Sequence, residues 1–319
     1  MLDPQIKTVL RMVENSSSKD LWQLSPEMAR AEYLKRTKRL DQQFHITKVE
    51  EKFIPTRSGQ IKVRLYWPKI LMGEEKLPII IFYHGGGFVI GGLETHDSIC
   101  RFLAMETEAL VISVDYRLAP EFKFPSAVND CKDVLFWVGK NGEKFGGDIH
   151  RLAIAGDSAG GNLAAVMSIL TRDETKPKIC CQVLIYPVTA PEPELPSHYK
   201  FAEGYLLSRK LLIWFYSHYL RGNADMKDFR FAPLITDDLT LLPPALIITA
   251  GFDPLRDEGI RYANRLVDSG NDVVLINLSG MTHGFILMGR VVETAHVVLS
   301  EVVGKLKFHF NLAKCERES

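Results

Sequence analysis

The sequence has no surplus of either charge. Its 39 Lys and Arg residues equal its 39 Asp and Glu residues, so the formal net charge is zero. Nucleic-acid binding draws on clustered Lys and Arg to neutralise phosphates. The balance therefore argues against nucleic acid as the main partner, and it supplies no field to steer a highly charged substrate. Cysteine is scarce and unpatterned, with five residues at Cys100, Cys131, Cys180, Cys181 and Cys315. An odd count with two adjacent members is not a disulfide framework. No CxxC or Cys/His spacing points to zinc, so no metal site is expected. The plain reading is reduced thiols in a cytoplasmic protein. Long apolar runs are missing as well. The longest stretches free of charged residues, Leu77–Leu93 and Val273–Gly289, each carry a histidine and several Gly, Ser or Asn residues. A bilayer span needs about 20 apolar residues, so no membrane span is expected. The N-terminal residues show no apolar h-region or small-residue cleavage site, so no secretory signal is expected either. Internal repeats, low-complexity tracts and Gly/Ser linkers are also absent.

What is present is an ordinary globular composition, 46% hydrophobic and 24% charged in 319 residues, enough to bury a sizeable core. At roughly 150 residues per domain the length suggests about two domains. Residues 1–45 read as helical. Ile6, Val9, Leu10 and Val13 share one helix face, and Ser25-Pro26 is an N-cap and N1 pair opening a second helix to about Arg39. Short apolar, β-branched runs follow: Gln60–Tyr66, Pro78–Tyr83, Leu110–Val114, Leu152–Ala155, Gln182–Tyr186, Ala245–Thr249 and Val273–Leu278. Several are apolar at consecutive positions, as strands buried on both faces are. Helical segments Ser126–Lys140, Ala159–Arg172, Pro254–Val267 and Val291–Phe310 fall between or after the later ones. The alternation predicts βαβ units and a mostly parallel α/β sheet flanked by helices. The connection from Tyr186 to Ala245 is far longer than a βα turn needs. Its Pro/Glu-rich start, Pro187–Pro196, and its aromatic helix, Leu211–Leu220, suggest an inserted helical cap that the N-terminal helices join.

One ordered set of residues carries chemistry. Gly156-Asp157-Ser158-Ala159-Gly160 matches G-x-S-x-G, after a strand and before a helix of small residues. That context is the nucleophile elbow, a sharp turn that exposes the serine hydroxyl at the carboxyl edge of a sheet. His84-Gly85-Gly86-Gly87 follows another strand. Its glycines can aim backbone N–H groups into a pocket as an oxyanion hole, joined by the N–H of Ala159. Gly86 and Gly87 are the preferred donors, with Gly85 shaping the turn. A phosphate-binding G-x-G-x-x-G fails, because Ile90 stands where its last glycine belongs. The acid and base should follow in chain order. Asp253 and His283 each lie just beyond a strand, where α/β sheets build their sites. Asp253-Pro254 could also open a helix, and Asp257 and Glu258 suit the dipole of its first turns. Of the nine histidines, only His283 has both the order and the strand-end placement. In these roles Ser158 attacks a carbonyl carbon, His283 shuttles the proton, and Asp253 fixes the imidazole. Water then hydrolyses the acyl-enzyme, and nothing in the scheme needs a metal or an organic cofactor.

With HGGG at 84–87, GDSAGG at 156–161, and Asp253-Pro254-Leu255-Arg256-Asp257-Glu258 followed by His283-Gly284-Phe285, the chain resembles the hormone-sensitive-lipase-like family of α/β-hydrolases, in particular the bacterial GDSAG-type carboxylesterases. The tract Asp115–Glu121 resembles that family too, and His84 and Asp157 match its motif positions. The resemblance implies an eight-stranded α/β-hydrolase sheet under a helical cap. It divides the chain into a cap contribution at 1–45, a catalytic body at 46–186 and 233–319, and a cap insertion at 187–232. It also implies a carboxylesterase acting on small, neutral, short-chain acyl esters, and a possible homodimer. An amidase, a lactonase or a non-catalytic small-molecule receptor on the same scaffold remain as alternatives. Phe88, Tyr205, Leu206, Trp214 and Phe215 are candidates for an apolar substrate pocket.

Overall fold

The computed structural model describes residues 1–16, 19–175 and 177–318. The strands are β1 (Lys48–Thr56), β2 (Gly59–Trp67), β3 (Leu77–Tyr83), β4 (Leu110–Asp115), β5 (Gly147–Asp157), β6 (Ile179–Ile185), β7 (Ala245–Phe252) and β8 (Val273–Thr282). They form one eight-stranded sheet in the order β1-β2-β4-β3-β5-β6-β7-β8. The pairs from β4 to β8 run parallel, while β1 and β2 are antiparallel to their neighbours. The consecutive apolar residues of the central strands are divided between two cores. In β3, Ile79, Ile81 and Tyr83 face one core while Ile80 and Phe82 face the other, as the two-residue period of a strand requires.

The helices are α1 (Pro4–Glu14), α2 (Pro26–Leu40), α3 (Asp97–Thr107), α4 (Ser126–Asn141), α5 (Ala159–Thr171), α6 (Pro196–Lys200), α7 (Arg209–Tyr219), α8 (Arg256–Asp268) and α9 (Glu293–Glu318). Residues of α4, α5, α7 and α8 fill the first core, and residues of α1, α3 and α9 fill the second. Ser25 caps α2 by accepting the Met28 N–H, with Pro26 in its first turn. α1 packs its buried Ile6 and Val9 into the second core, and the Asp3 N–H donates to Gly280 O beyond the middle of β8.

Three elements went unread in the sequence: β1, α3 and the short α6. β1 carries Lys48, Glu50, Glu51 and Lys52 on a sheet edge, where Glu51 sits opposite Arg64 of β2 and binds it. A charged edge strand is soluble and offers no apolar run. α3 is buried through contacts with β4 and α9, which local sequence does not reveal. α8 begins at Arg256, two residues later than the Pro254 start read from the sequence. Asp253 therefore precedes the helix, and its Oδ1 accepts the Leu255 N–H in the preceding turn.

Candidate active site

Every motif residue lies beyond or at the carboxyl end of a strand, where this class of sheet gathers its ligands. His84–Gly87 follow β3, Asp157 ends β5, and Asp253 and His283 follow β7 and β8. Between β5 and α5, Ser158 has φ 55° and ψ −119°, a conformation that non-glycine residues rarely hold. The turn can be this tight because Gly160 lies against the main chain of β3. A Cβ there would come within 1.9 Å of Tyr83 O.

The structure brings Ser158, His283 and Asp253 into one hydrogen-bonded chain. His283 Nδ1 lies 2.7 Å from Asp253 Oδ2, and His283 Nε2 lies 2.9 Å from Ser158 Oγ. A carboxylate can only accept, so Nδ1 carries the proton and Nε2 is left to accept from the serine hydroxyl. Asp253 is fully buried, so its field is little screened by water. The arrangement can raise the nucleophilicity of the hydroxyl and take up its proton.

The glycine loop has a division of labour finer than the motif suggests. The Gly85 N–H donates to Asp157 Oδ1 at 2.8 Å, with His96 Nε2 at 3.3 Å. Gly85 is thereby occupied, which removes it from the oxyanion-donor set named from the sequence. The N–H groups of Gly86, Gly87 and Ala159 donate to no protein group among the described residues. They are available to a ligand beside Ser158, and Gly86 and Gly87 line the same cavity as Ser158 and His283. Asp157 ties the serine turn to this loop. Burial works to raise its carboxyl, but His96 at 3.0 Å, then His283 and the Gly85 N–H, outweigh burial and hold it below the usual carboxylate range. His84 is fully buried, stacks on Tyr116 at 4.2 Å, and is driven down to about 3 chiefly by burial, so it is neutral.

The cavity over Ser158 measures about 90 Å³. Of the apolar residues picked from the sequence, Phe88, Leu206 and Phe215 line it. Tyr205 packs instead on Phe201 and Phe252, and Trp214 on Phe215 and His218. Leu21 and Tyr33 of the N-terminal segment also reach the wall, and no motif marks them. A larger depression of about 970 Å³ opens beside Ile179 and Pro244 at the opposite end of the sheet, away from every residue above.

The sequence also missed a buried junction beside Asp253. Glu258 lies in the first turn of α8, as read from the sequence, but its partners are ones the sequence did not show. It is fully buried, accepts the Thr189 N–H at 2.6 Å and the Ala190 N–H at 3.4 Å, and faces His198 Nε2 at 3.0 Å. Leu195 N–H donates to His198 Nδ1, so the imidazole turns its other nitrogen to the carboxyl. Burial still pushes the Glu258 carboxyl up against these partners. The pair ties the start of the long insertion to the helix that follows Asp253.

An eight-stranded sheet with a serine on a strained strand-to-helix turn is the architecture of α/β hydrolases as a class. A family model for the alpha/beta hydrolase fold matches residues 80–287. A carboxylesterase of Mycobacterium tuberculosis, NlhH, is 42% identical over 77% of this chain and 78% of its own. The ethyl acetate hydrolase of Pseudomonas putida is 39% identical over 80% and 81% of the two chains. Among solved structures, a Pyrobaculum calidifontis esterase superposes with a TM-score of 0.89 at 38% identity, covering 96% of this chain and 98% of that one. An ester hydrolase from the Lake Arreo metagenome, solved with a bipyridine phosphonate derivative, gives 0.92 at 38% identity over 98% and 100%. The chain belongs to the α/β-hydrolase family, in its hormone-sensitive-lipase-like branch, and is a carboxylic-ester hydrolase.

Proposed function

We propose that the protein is a serine esterase that hydrolyses short-chain acyl esters through Ser158, His283 and Asp253. The observation that carries this reading is the Asp253–His283–Ser158 hydrogen-bond chain, 2.7 and 2.9 Å long, beside the uncommitted N–H groups of Gly86, Gly87 and Ala159. In the first step Ser158 Oγ attacks the ester carbonyl and His283 Nε2 takes its proton. The carbonyl oxygen becomes an oxyanion that accepts from the three amides, each such donor being worth about 10²–10³ in rate. Collapse expels the alcohol, protonated by His283, and leaves an acyl group on Ser158. A water molecule, deprotonated by His283, repeats the sequence and releases the acid.

The short-chain preference is supported by the small cavity of about 90 Å³ over Ser158 and by the name of the Pseudomonas relative, an ethyl acetate hydrolase. We assign the cap to residues 1–45 and 187–232, on a body of 46–186 and 233–319. Tyr33 and Phe215, one from each cap segment, both line the cavity. A homodimer would use the β8 edge, where Val274 and Leu275 are 39% and 37% exposed. A cytoplasmic setting fits the odd cysteine count.

Ser158→Ala tests the assignment. It should lower kcat for p-nitrophenyl acetate by at least about 10³-fold without changing the circular dichroism spectrum. An unchanged rate would overturn it. Run across acyl lengths, lactones and anilides, wild-type kcat/KM should be highest for acetate to butyrate esters.

A further inference from the structure

The loop offering the Gly86 and Gly87 amides holds an uncommon backbone. Gly86, Gly87 and Phe88 have φ of 122°, 58° and 62° in succession, and Phe88 is not a glycine. Such a run persists only where surrounding contacts impose it. Most of those contacts come from the catalytic body. Gly85 N–H is held by Asp157, Gly86 O accepts from Val89 and Ile90, and Phe88 O accepts from Ala119. One comes from elsewhere. Arg30, on helix α2, donates from Nε to Val89 O at 2.9 Å and from Nη2 to Ala119 O at 2.8 Å. Val89 O and Ala119 O lie on the two segments joined by the Ala119 N–H to Phe88 O bond. One planar guanidinium therefore clips both sides of the loop's support. Two of its three remaining N–H groups meet the carboxylate of Glu121 at 2.9 and 2.6 Å, which holds the fork in plane.

We propose that Arg30 is a positioning residue for the oxyanion-hole loop, so that the N-terminal segment sets the aim of the Gly86 and Gly87 amides. The proposal rests on the reading that those amides receive the oxyanion. The fork is essential: a guanidinium reaches two carbonyls and a carboxylate at fixed angles, whereas an ammonium is a point charge on a flexible stem. Glu121 orients the fork but is replaceable, because its side chain is 52% exposed and exposed ion pairs contribute little. An oxyanion contact strengthens in the transition state. Loosening the loop therefore reduces kcat and leaves KM nearly unchanged.

The test compares wild type, Arg30→Met, Arg30→Lys and Glu121→Gln on p-nitrophenyl acetate, with Ser158→Ala alongside. Each protein is checked by circular dichroism, and amide hydrogen exchange is followed across residues 84–91. Arg30→Met should lower kcat by about 10- to 100-fold with KM changed less than about threefold, and should speed exchange in the loop. Arg30→Lys, which keeps the charge and the fold, should fall between Met and wild type. Glu121→Gln should stay within about threefold. The proposal is overturned if kcat and loop exchange in Arg30→Lys match wild type, or if Glu121→Gln loses as much as Arg30→Met. A merely structural Arg30 would lower melting temperature and leave kcat per folded molecule unchanged, which also overturns it. Activity retained by Ser158→Ala would instead sink the triad reading, and the loop-exchange comparison would still decide the role of Arg30.

Discussion

Ser158 and His84 show how single residues in this molecule are held in states they would not choose alone. Ser158 keeps its φ of 55° because its N–H donates to Ile185 O and its own carbonyl accepts from Asn162 in the first turn of α5. His84 stays neutral because burial drives its titration down to about 3. That displacement has a consequence for stability. The unfolded chain protonates this histidine near 6.5, while the folded chain does not until about 3. Between these values the unfolded state binds more protons, so stability is lost as pH falls. Asp157, whose titration is lowered, acts in the same direction but only at more acid pH, below the ordinary carboxylate range, and adds nothing between pH 8 and pH 5. Thermal unfolding should therefore shift down between pH 8 and pH 5. His84 alone contributes about 2 kcal/mol of the loss at pH 5, and His84→Asn should flatten the slope. A melting temperature independent of pH across this range would refute the assignment of a buried neutral His84.

At the scale of elements, α7 packs against the glycine loop beside Ser158. The Phe215 ring lies directly on Gly87. A Cβ at Gly87 would come within 2.2 Å of the ring's Cγ. Phe215 therefore both covers the glycine loop and walls the cavity. Replacing it with alanine should open the cavity toward α7. Each methylene then buried contributes about 0.8 kcal/mol. The ratio of kcat/KM for octanoate to that for acetate should rise at least about tenfold in Phe215→Ala, whatever happens to the absolute rates. An unchanged ratio would show that another element limits acyl length. The His198–Glu258 pair works at the same scale, fastening the insertion that carries α7 to the helix after Asp253.

At the scale of the whole molecule, the division between what the sequence discloses and what it hides follows from the range of the interactions. The central strands could be read because burial on both faces leaves unbroken apolar runs, as in Pro78–Tyr83 and Ala245–Thr249. Ser158, Asp253 and His283 could be named because a sharp turn needs glycines and because each residue closes a recognisable strand. β1 could not be read, since its pairing with β2 is polar on a sheet edge. Arg30, His96 and Glu258 could not be assigned either. Their partners Val89, Glu121, Asp157 and Thr189 lie about 60 to 90 residues away in sequence, and residue type alone carries no distance. The same applies to Gly85. The motif offers it as a donor, and only the fold shows that Asp157 has taken its N–H.

The proposed esterase mechanism passes through an acyl group on Ser158. The most direct measurement is rapid acid quenching of the enzyme during turnover of p-nitrophenyl acetate, followed by peptide mass spectrometry. One acetyl group is expected on the peptide containing Ser158, formed within the first turnover and absent from Ser158→Ala. Acetylation confined to another residue, or steady hydrolysis by Ser158→Ala at the wild-type rate, would contradict it.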